Sequence, residues 1–205
     1  ETRFRCKPDN FVYNNMLYVL CKKESSGEFI DFSLMIFRRI ESPDTYSYSN
    51  VLVGLCKFGR FETAIEIFKE MCEAGLVPTR AFVIIRLIAE LCRLGKMEEG
   101  FEILKVVEER KLNCVEEGYS TVIQALCEHR LVEEASHLFG RMLSQGLKPK
   151  LIVYNSVICM LCKMGRIGEA ERVFEIMNKK RCLPDNVTYN SLVHAYSEAR
   201  NWEIA

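Results

Sequence analysis

The stretch "IVYNSVICMLCKMGRIGEAERVFEIMNKKRCLPD", residues 152–185, reads as two helices folded back on each other. Tyr154, Val157, Ile158, Leu161 and Cys162 recur at i, i+3, i+4, i+7 and i+8, which makes one apolar helix face. "KMGR" then brings Gly165, suited to the left-handed turn that ends a helix. A second stripe follows in Ala170, Val173, Phe174 and Met177. Ala170, like Ala64 and Ala135, is small enough to let two helices approach closely. In "CLPD", Pro184 is expected to stop the second helix and Asp185 to cap the next one. A helix pair of this size cannot bury its own apolar faces, so it is stable only when stacked on similar neighbours.

Such neighbours occur along the whole chain. The five prolines, Pro8, Pro43, Pro78, Pro149 and Pro184, are separated by 35, 35, 71 and 35 residues, with Cys114 standing where one proline is missing. Cys21, Cys56, Cys92, Cys127 and Cys162 follow the same period, and Phe68, Leu104, Phe139 and Phe174 each come 12 residues after such a cysteine. The chain is therefore a tandem repeat. Its expected units are 10–44, 45–80, 81–115, 116–150 and 151–185, with the tail of an earlier unit in 1–9 and the first helix of a partial sixth in 186–205. Repeat 1 is irregular. "KKESSGEF" lengthens its inter-helix turn, and Phe37 comes 16 residues after Cys21 rather than 12.

Composition narrows the function classes. The chain has 205 residues, 28 basic and 28 acidic, so any polyanion site must come from local placement of Lys and Arg. No apolar run approaches the roughly 18–20 residues that span a bilayer, and no membrane role is expected. The sequence starts at a glutamate, and we expect it to be an internal piece whose targeting segment lies elsewhere. The ten cysteines sit within apolar helical patterns and read as reduced thiols acting as small hydrophobes.

One helix face stands apart from the core stripes. Asn14, Asn155 and Asn190 are polar residues of weak helix propensity in the first turn of otherwise apolar helices. The fifth, ninth and thirteenth residues of a unit share a face, which carries Asn155, Cys159 and Lys163 in repeat 5 and Ser49, Val53 and Lys57 in repeat 2. An amide that both donates and accepts, set above a lysine, suits a base next to a phosphate.

The strings "VTYNSLVHAYSEA" and "IVYNSVICMLCKMGRIGEAERVFEIMNKKRCLPD" resemble the pentatricopeptide repeat in its plain 35-residue form, and the resemblance covers essentially the whole chain. It implies an all-α fold, a right-handed α-solenoid of tandem antiparallel helix pairs, whose first helices line a groove for single-stranded RNA at about one base per repeat. In such repeats the fifth and last residues choose the base, the second packs on it, and a basic thirteenth residue meets the phosphate. Carried over, the base-reading residues are Asn14 with Asp44, Ser49 with Thr79 or Arg80, Ser120 with Lys150, Asn155 with Asp185, and Asn190. The pairing of Asn with Asp is associated with uracil. Ile85 and Val115 of repeat 3 cannot hydrogen-bond a base. The stacking residues are Phe11, Tyr46, Phe82, Ile152 and Val187, interrupted by Glu117, and the phosphate contacts are Lys22, Lys57, Arg93 and Lys163, interrupted by Glu128 and Glu198.

Cys159 and Cys162 form a C-x-x-C, but no second pair exists, and His129, His137 and His194 share no ligand spacing with it. No catalytic constellation, cofactor site, metal site or small-molecule substrate is expected. The expected partner is single-stranded RNA in a mitochondrion or chloroplast, as the resemblance implies. The alternative is a scaffold among other proteins of a large ribonucleoprotein.

Overall fold

The computed structural model describes residues 8–22, 28–78 and 81–199, and among them it contains eleven α-helices and no strand. The helices are α1 (Asn10–Lys22), α2 (Glu28–Phe37), α3 (Thr45–Lys57), α4 (Phe61–Glu73), α5 (Ala81–Arg93), α6 (Met97–Glu109), α7 (Val115–Glu128), α8 (Val132–Ser144), α9 (Leu151–Lys163), α10 (Ile167–Lys179) and α11 (Asn186–Glu198). None is long and apolar enough to cross a membrane. The chain divides into two compact units, Glu1–Leu91 and Cys92–Ala205.

Within each unit the packing follows one rule. First helices lie against one another, α1 on α3 in the first unit and α7 on α9 and α9 on α11 in the second. Helices α2, α8 and α10 each pack on their own first helix and on the first helix of the next repeat, α2 on α1 and α3, α8 on α7 and α9, and α10 on α9 and α11. The apolar stripes fill these contacts, with Tyr154, Ile158, Ala64, Ala135 and Ala170 wholly buried. At Gly54 the approach is closest. A Cβ there would stand 2.7 Å from Cys21 Sγ and 2.8 Å from Ile30 Cδ1, so α3 can press on α1 and α2 only with glycine at that position.

An aromatic contact marks the junctions. Phe37, Phe139 and Phe174, on second helices, meet Tyr48, Tyr154 and Tyr189 of the following repeat edge-on, with centroids 5.0, 5.6 and 5.9 Å apart. Phe37 holds this place despite its irregular spacing from Cys21. The extra residues of repeat 1 therefore leave the junction unchanged. The period-marking thiols, Cys21, Cys56, Cys92, Cys127 and Cys162, are buried and unpaired. Burial pushes Cys56, Cys92 and Cys162 up to about 11 and Cys127 up to about 12, which keeps these thiols protonated and unreactive at neutral pH.

The turn between the two helices of a repeat explains the G-R marker. Gly165 adopts φ +73°, and the Arg166 backbone N–H returns to Leu161 O. The Arg166 side chain reaches back to Glu133 of the preceding repeat at 2.5 Å, and Arg60 reaches Asp31 at 3.4 Å in the same manner. Exposed pairs like these are screened by solvent and add little to stability.

One expectation about a helix end is corrected. Pro184 does not stop α10. That helix ends at Lys179, where Arg181 turns left-handed at φ +58° and the Cys182 N–H bonds back to Met177 O, before the proline is reached. Helix α7 begins at Val115, with Cys114 in the N-cap place and no side-chain cap.

The hydroxyl of Tyr119 donates to Glu108 Oε1 at 3.2 Å and that of Tyr48 to Glu70 Oε1 at 3.2 Å, whereas the equally buried Tyr154 Oη has no partner among the described residues. Tyr119→Phe should therefore cost about 1 kcal/mol, and Tyr154→Phe should be neutral or stabilising. Urea unfolding of both variants measures the contrast.

Candidate nucleic-acid interface

In repeat 5, Asn155 points from the first turn of α9 toward the N-terminus of α11, 30 residues further on. Its Nδ2 donates to Asp185 Oδ1 at 3.0 Å, and its Oδ1 accepts from Thr188 Oγ1 at 2.6 Å. Asp185 is the N-cap of α11 and accepts from the backbone N–H groups of Val187 and Thr188, both at 3.0 Å. Thr188 completes a capping box by accepting from the Asp185 N–H at 3.2 Å.

Repeat 1 builds the same arrangement from α1 and α3. Asn14 Nδ2 donates to Asp44 Oδ1 and Oδ2 at 3.1 and 3.0 Å, and Ser47 Oγ donates to Asn14 Oδ1 at 2.7 Å. Asp44 caps α3 through the Ser47 N–H at 2.8 Å. The structure therefore brings Asn14 to Asp44 and Asn155 to Asp185, and each Asp serves as both helix cap and amide partner. One N–H of each amide is used by the carboxylate, and its second N–H remains to meet a ligand.

These bonds also set the charge. At Asp185 the Thr188 N–H, outweighing desolvation and joined by the Asn155 amide and the Thr188 hydroxyl, holds the carboxyl below its ordinary value. At Asp44 burial acts upward, but the Ser47 N–H, the Asn14 amide and the Ser47 hydroxyl together outweigh it and lower the carboxyl as well. Both are carboxylates at neutral pH.

Beside these amides stand exposed apolar residues. Phe11, Tyr46, Phe82, Ile152 and Val187, the second residues of their units, are between 50% and 72% exposed, an unusual fate for large apolar side chains near the start of packed helices. Lys57, Arg93 and Lys163 are exposed at the last residues of α3, α5 and α9, where the helix dipole favours a cation. Asn190 is exposed on α11. Thr79 and the side chain of Lys22 lie outside the described residues.

The other expected readers are not arranged this way. Ser49 and Ser120 are only 4% and 7% exposed, and Ser120 Oγ donates to Glu116 O in its own helix at 2.7 Å. Ser120 thus bonds within its own helix rather than reaching the next repeat's cap, as the longer asparagine does. Lys150 is not joined to Ser120. Its Nζ lies 3.1 Å from Glu117 Oε1, so the last residue of repeat 4 neutralises that repeat's own misplaced carboxylate.

Three residues had no place in the sequence expectation. Ser47 and Thr188 belong to it through the bonds above. The signal was a hydroxyl at the third place of a unit following an Asn–Asp unit. Arg130 stands where Gly59, Gly95 and Gly165 stand in other repeats, and it takes their left-handed conformation at φ +59°. It lines, with Cys159 and Lys163, two adjacent clefts of about 370 and 560 Å³ over α7, α9 and α11. The exposed Glu128 borders the first cleft and Asn190 the second, so Arg130 adds a cation near the carboxylate that replaces the usual thirteenth-place base. Cys159 faces these clefts, and among the described residues no group of three or more His, Cys, Asp or Glu could hold a metal.

Models of known families match much of the chain: the PPR repeat family at 149–198 and the PPR repeat at 46–76, 86–112 and 118–147. A mitochondrial pentatricopeptide repeat-containing protein of Arabidopsis thaliana is 30% identical over 145 residues, covering 67% of this chain and 19% of that protein. Another, also mitochondrial, is 25% identical over 147 residues, covering 71% and 18%. The chain thus spans less than a fifth of the length of these curated relatives. Among solved structures, PPR10 from maize superposes with a TM-score of 0.73 at 22% identity, over 97% of this chain and 28% of that one. PPR10 in complex with an 18-nt psaJ RNA element superposes at 0.60 and 26% identity, over 96% and 29%. The PPR domain of A. thaliana protein-only RNase P 1 in complex with tRNA superposes at 0.70 and 13% identity, over 92% and 98%. The fold is that of the all-α helical-repeat solenoids.

Linkage gives the cap carboxylate a pH signature. A lowered folded-state pKa contributes stability that is present above the ordinary value of 3.8 and is lost as pH falls through the folded value. The difference in unfolding free energy between the wild type and Asp185→Asn should therefore be constant from neutral pH to about pH 4 and shrink below it. Urea titrations at a series of pH values test this.

Proposed function

The chain belongs to the pentatricopeptide repeat family, and from that membership and its site geometry we propose that it is a single-stranded RNA-binding module acting in organellar RNA processing. The observation that carries this reading is the recurrence, in repeats 1 and 5, of an oriented amide beside an exposed apolar residue. Asn14 and Asn155 each have their amide nitrogen held by a carboxylate, while Phe11 and Ile152 stand one turn earlier on the same helices. A base stacked on the apolar residue brings its edge to the amide. With the carboxylate holding Nδ2, the amide offers a donor, which matches a uracil carbonyl.

Electrostatics are local in a chain of zero net charge. Lys57, Arg93 and Lys163 meet the phosphates, and Arg130 supplies the cation that Glu128 does not. Asn190 reads a pyrimidine in the partial sixth repeat. Repeats 3 and 4 contribute backbone contact rather than base choice, because Ile85 has no polar atom and Lys150 is committed to Glu117. The mitochondrial names of the relatives and the RNA in the PPR10 and RNase P 1 complexes support the organellar RNA assignment. The role is binding, without chemistry of its own. The Lys150–Glu117 pair favours a second use of repeat 4 as a contact for another protein of a ribonucleoprotein.

Asn155→Thr should shift relative affinity from RNAs carrying U toward RNAs carrying G at the repeat-5 register. Unchanged relative binding would remove Asn155 from the reader. Lys163→Ala and Arg130→Ala should instead weaken all RNAs alike, each lowering the slope of log affinity against log salt by about one. Fluorescence anisotropy over a salt series reads both effects.

A further inference from the structure

Ser47 and Thr188 occupy neither the base-choosing nor the stacking places, yet both are fully buried with their hydroxyls on an asparagine of the preceding repeat. We propose that these third-position hydroxyls are positioning residues for base reading, holding the asparagine amide in the single orientation that turns its remaining N–H outward. This rests on the assignment of Asn14 and Asn155 as base contacts.

The orientation follows from counting protons. Each hydroxyl accepts from the N–H of the capping aspartate, at 3.2 Å from Asp185 and 3.3 Å from Asp44. Its one proton has two acceptors in reach, Asn155 Oδ1 at 2.6 Å against Asp185 Oδ1 at 3.1 Å and Asn14 Oδ1 at 2.7 Å against Asp44 Oδ1 at 3.0 Å, and the nearer asparagine oxygen takes it. A flipped amide would put Oδ1 against the Asp carboxylate, acceptor against acceptor, and leave the hydroxyl proton without that partner. Carboxylate and hydroxyl therefore clamp the amide from both ends. The outward group is a donor, complementary to the O4 carbonyl of uracil and mismatched with the exocyclic amino group of cytosine.

The residue pattern along the chain agrees. The third residues of the units that follow repeats 1 to 5 are Ser47, Val83, Gly118, Val153 and Thr188. A hydroxyl is present only after Asn14 and Asn155. Behind Ser49, Ile85 and Ser120, where there is no amide to orient, the place holds valine or glycine. Helix capping alone does not account for this, since α9 forms without a side-chain cap and with Val153 at that position.

The test compares wild-type, Thr188→Val and Thr188→Ser forms of the 205-residue chain for affinity toward oligouridylate and oligocytidylate. Thr188→Val should reduce the uridylate-to-cytidylate affinity ratio about two- to tenfold, the effect of one net hydrogen bond, and Thr188→Ser should restore it. Ser47→Ala and Ser47→Thr repeat the comparison at repeat 1 should the valine variant fold poorly. In the RNA-free protein, the Asn155 Nδ2 proton resonances should move toward free-amide positions in Thr188→Val and remain in place in Thr188→Ser. Equal losses on both oligonucleotides, with unmoved amide resonances, would overturn the proposal and leave Thr188 a helix cap only. Failure of the wild type to bind either oligonucleotide would overturn the RNA assignment instead, while the amide resonances still decide whether the hydroxyl holds the amide.

Discussion

Everything in this chain depends on the junction between one helix pair and the next. A pair of 13-residue helices has apolar surface on two sides and can bury only one of them internally. The second helix of a repeat must therefore lie against the first helix of its successor, and the edge-on Phe–Tyr contacts sit at these junctions. The rings place the start of the following helix at a repeatable distance. That start is where the functional groups gather.

The candidate reader is a product of the junction rather than of any one repeat. Asn155 lies on α9, and Asp185 and Thr188 belong to the end of one unit and the start of α11. The carboxylate is there in the first place because a helix N-terminus has unpaired N–H groups to satisfy. Its unused hydrogen-bonding capacity then orients the amide of the repeat behind it. Stability and recognition thus share residues, and a change to the cap acts on both.

Much of this was legible in the sequence because a period of 35 makes local signals add. The apolar stripes, the buried thiols and the left-handed Gly165 all follow from spacing and residue type, while the second-place residues come from the resemblance to a repeat family. Partner identity was less legible, because it spans about 30 residues and depends on side-chain reach. Asparagine crosses the junction to the next cap, whereas Ser120 occupies the same place in its unit and bonds within its own helix. Lys150 could be assigned a position but not a partner, and its partner is Glu117. Pro184 reads as the helix stop, while Arg181, a residue with no strong turn preference, ends the helix. Arg130 was hidden because it breaks the glycine pattern instead of extending it.

The most direct measurement is selection of RNAs from a random single-stranded pool by the 205-residue chain and by its Asn14→Ala, Asn155→Ala double variant. The account predicts uracil enrichment in the wild-type pool and loss of that enrichment, with residual salt-sensitive binding, in the double variant. A wild-type pool without base preference, or uracil enrichment that survives the double substitution, would contradict it.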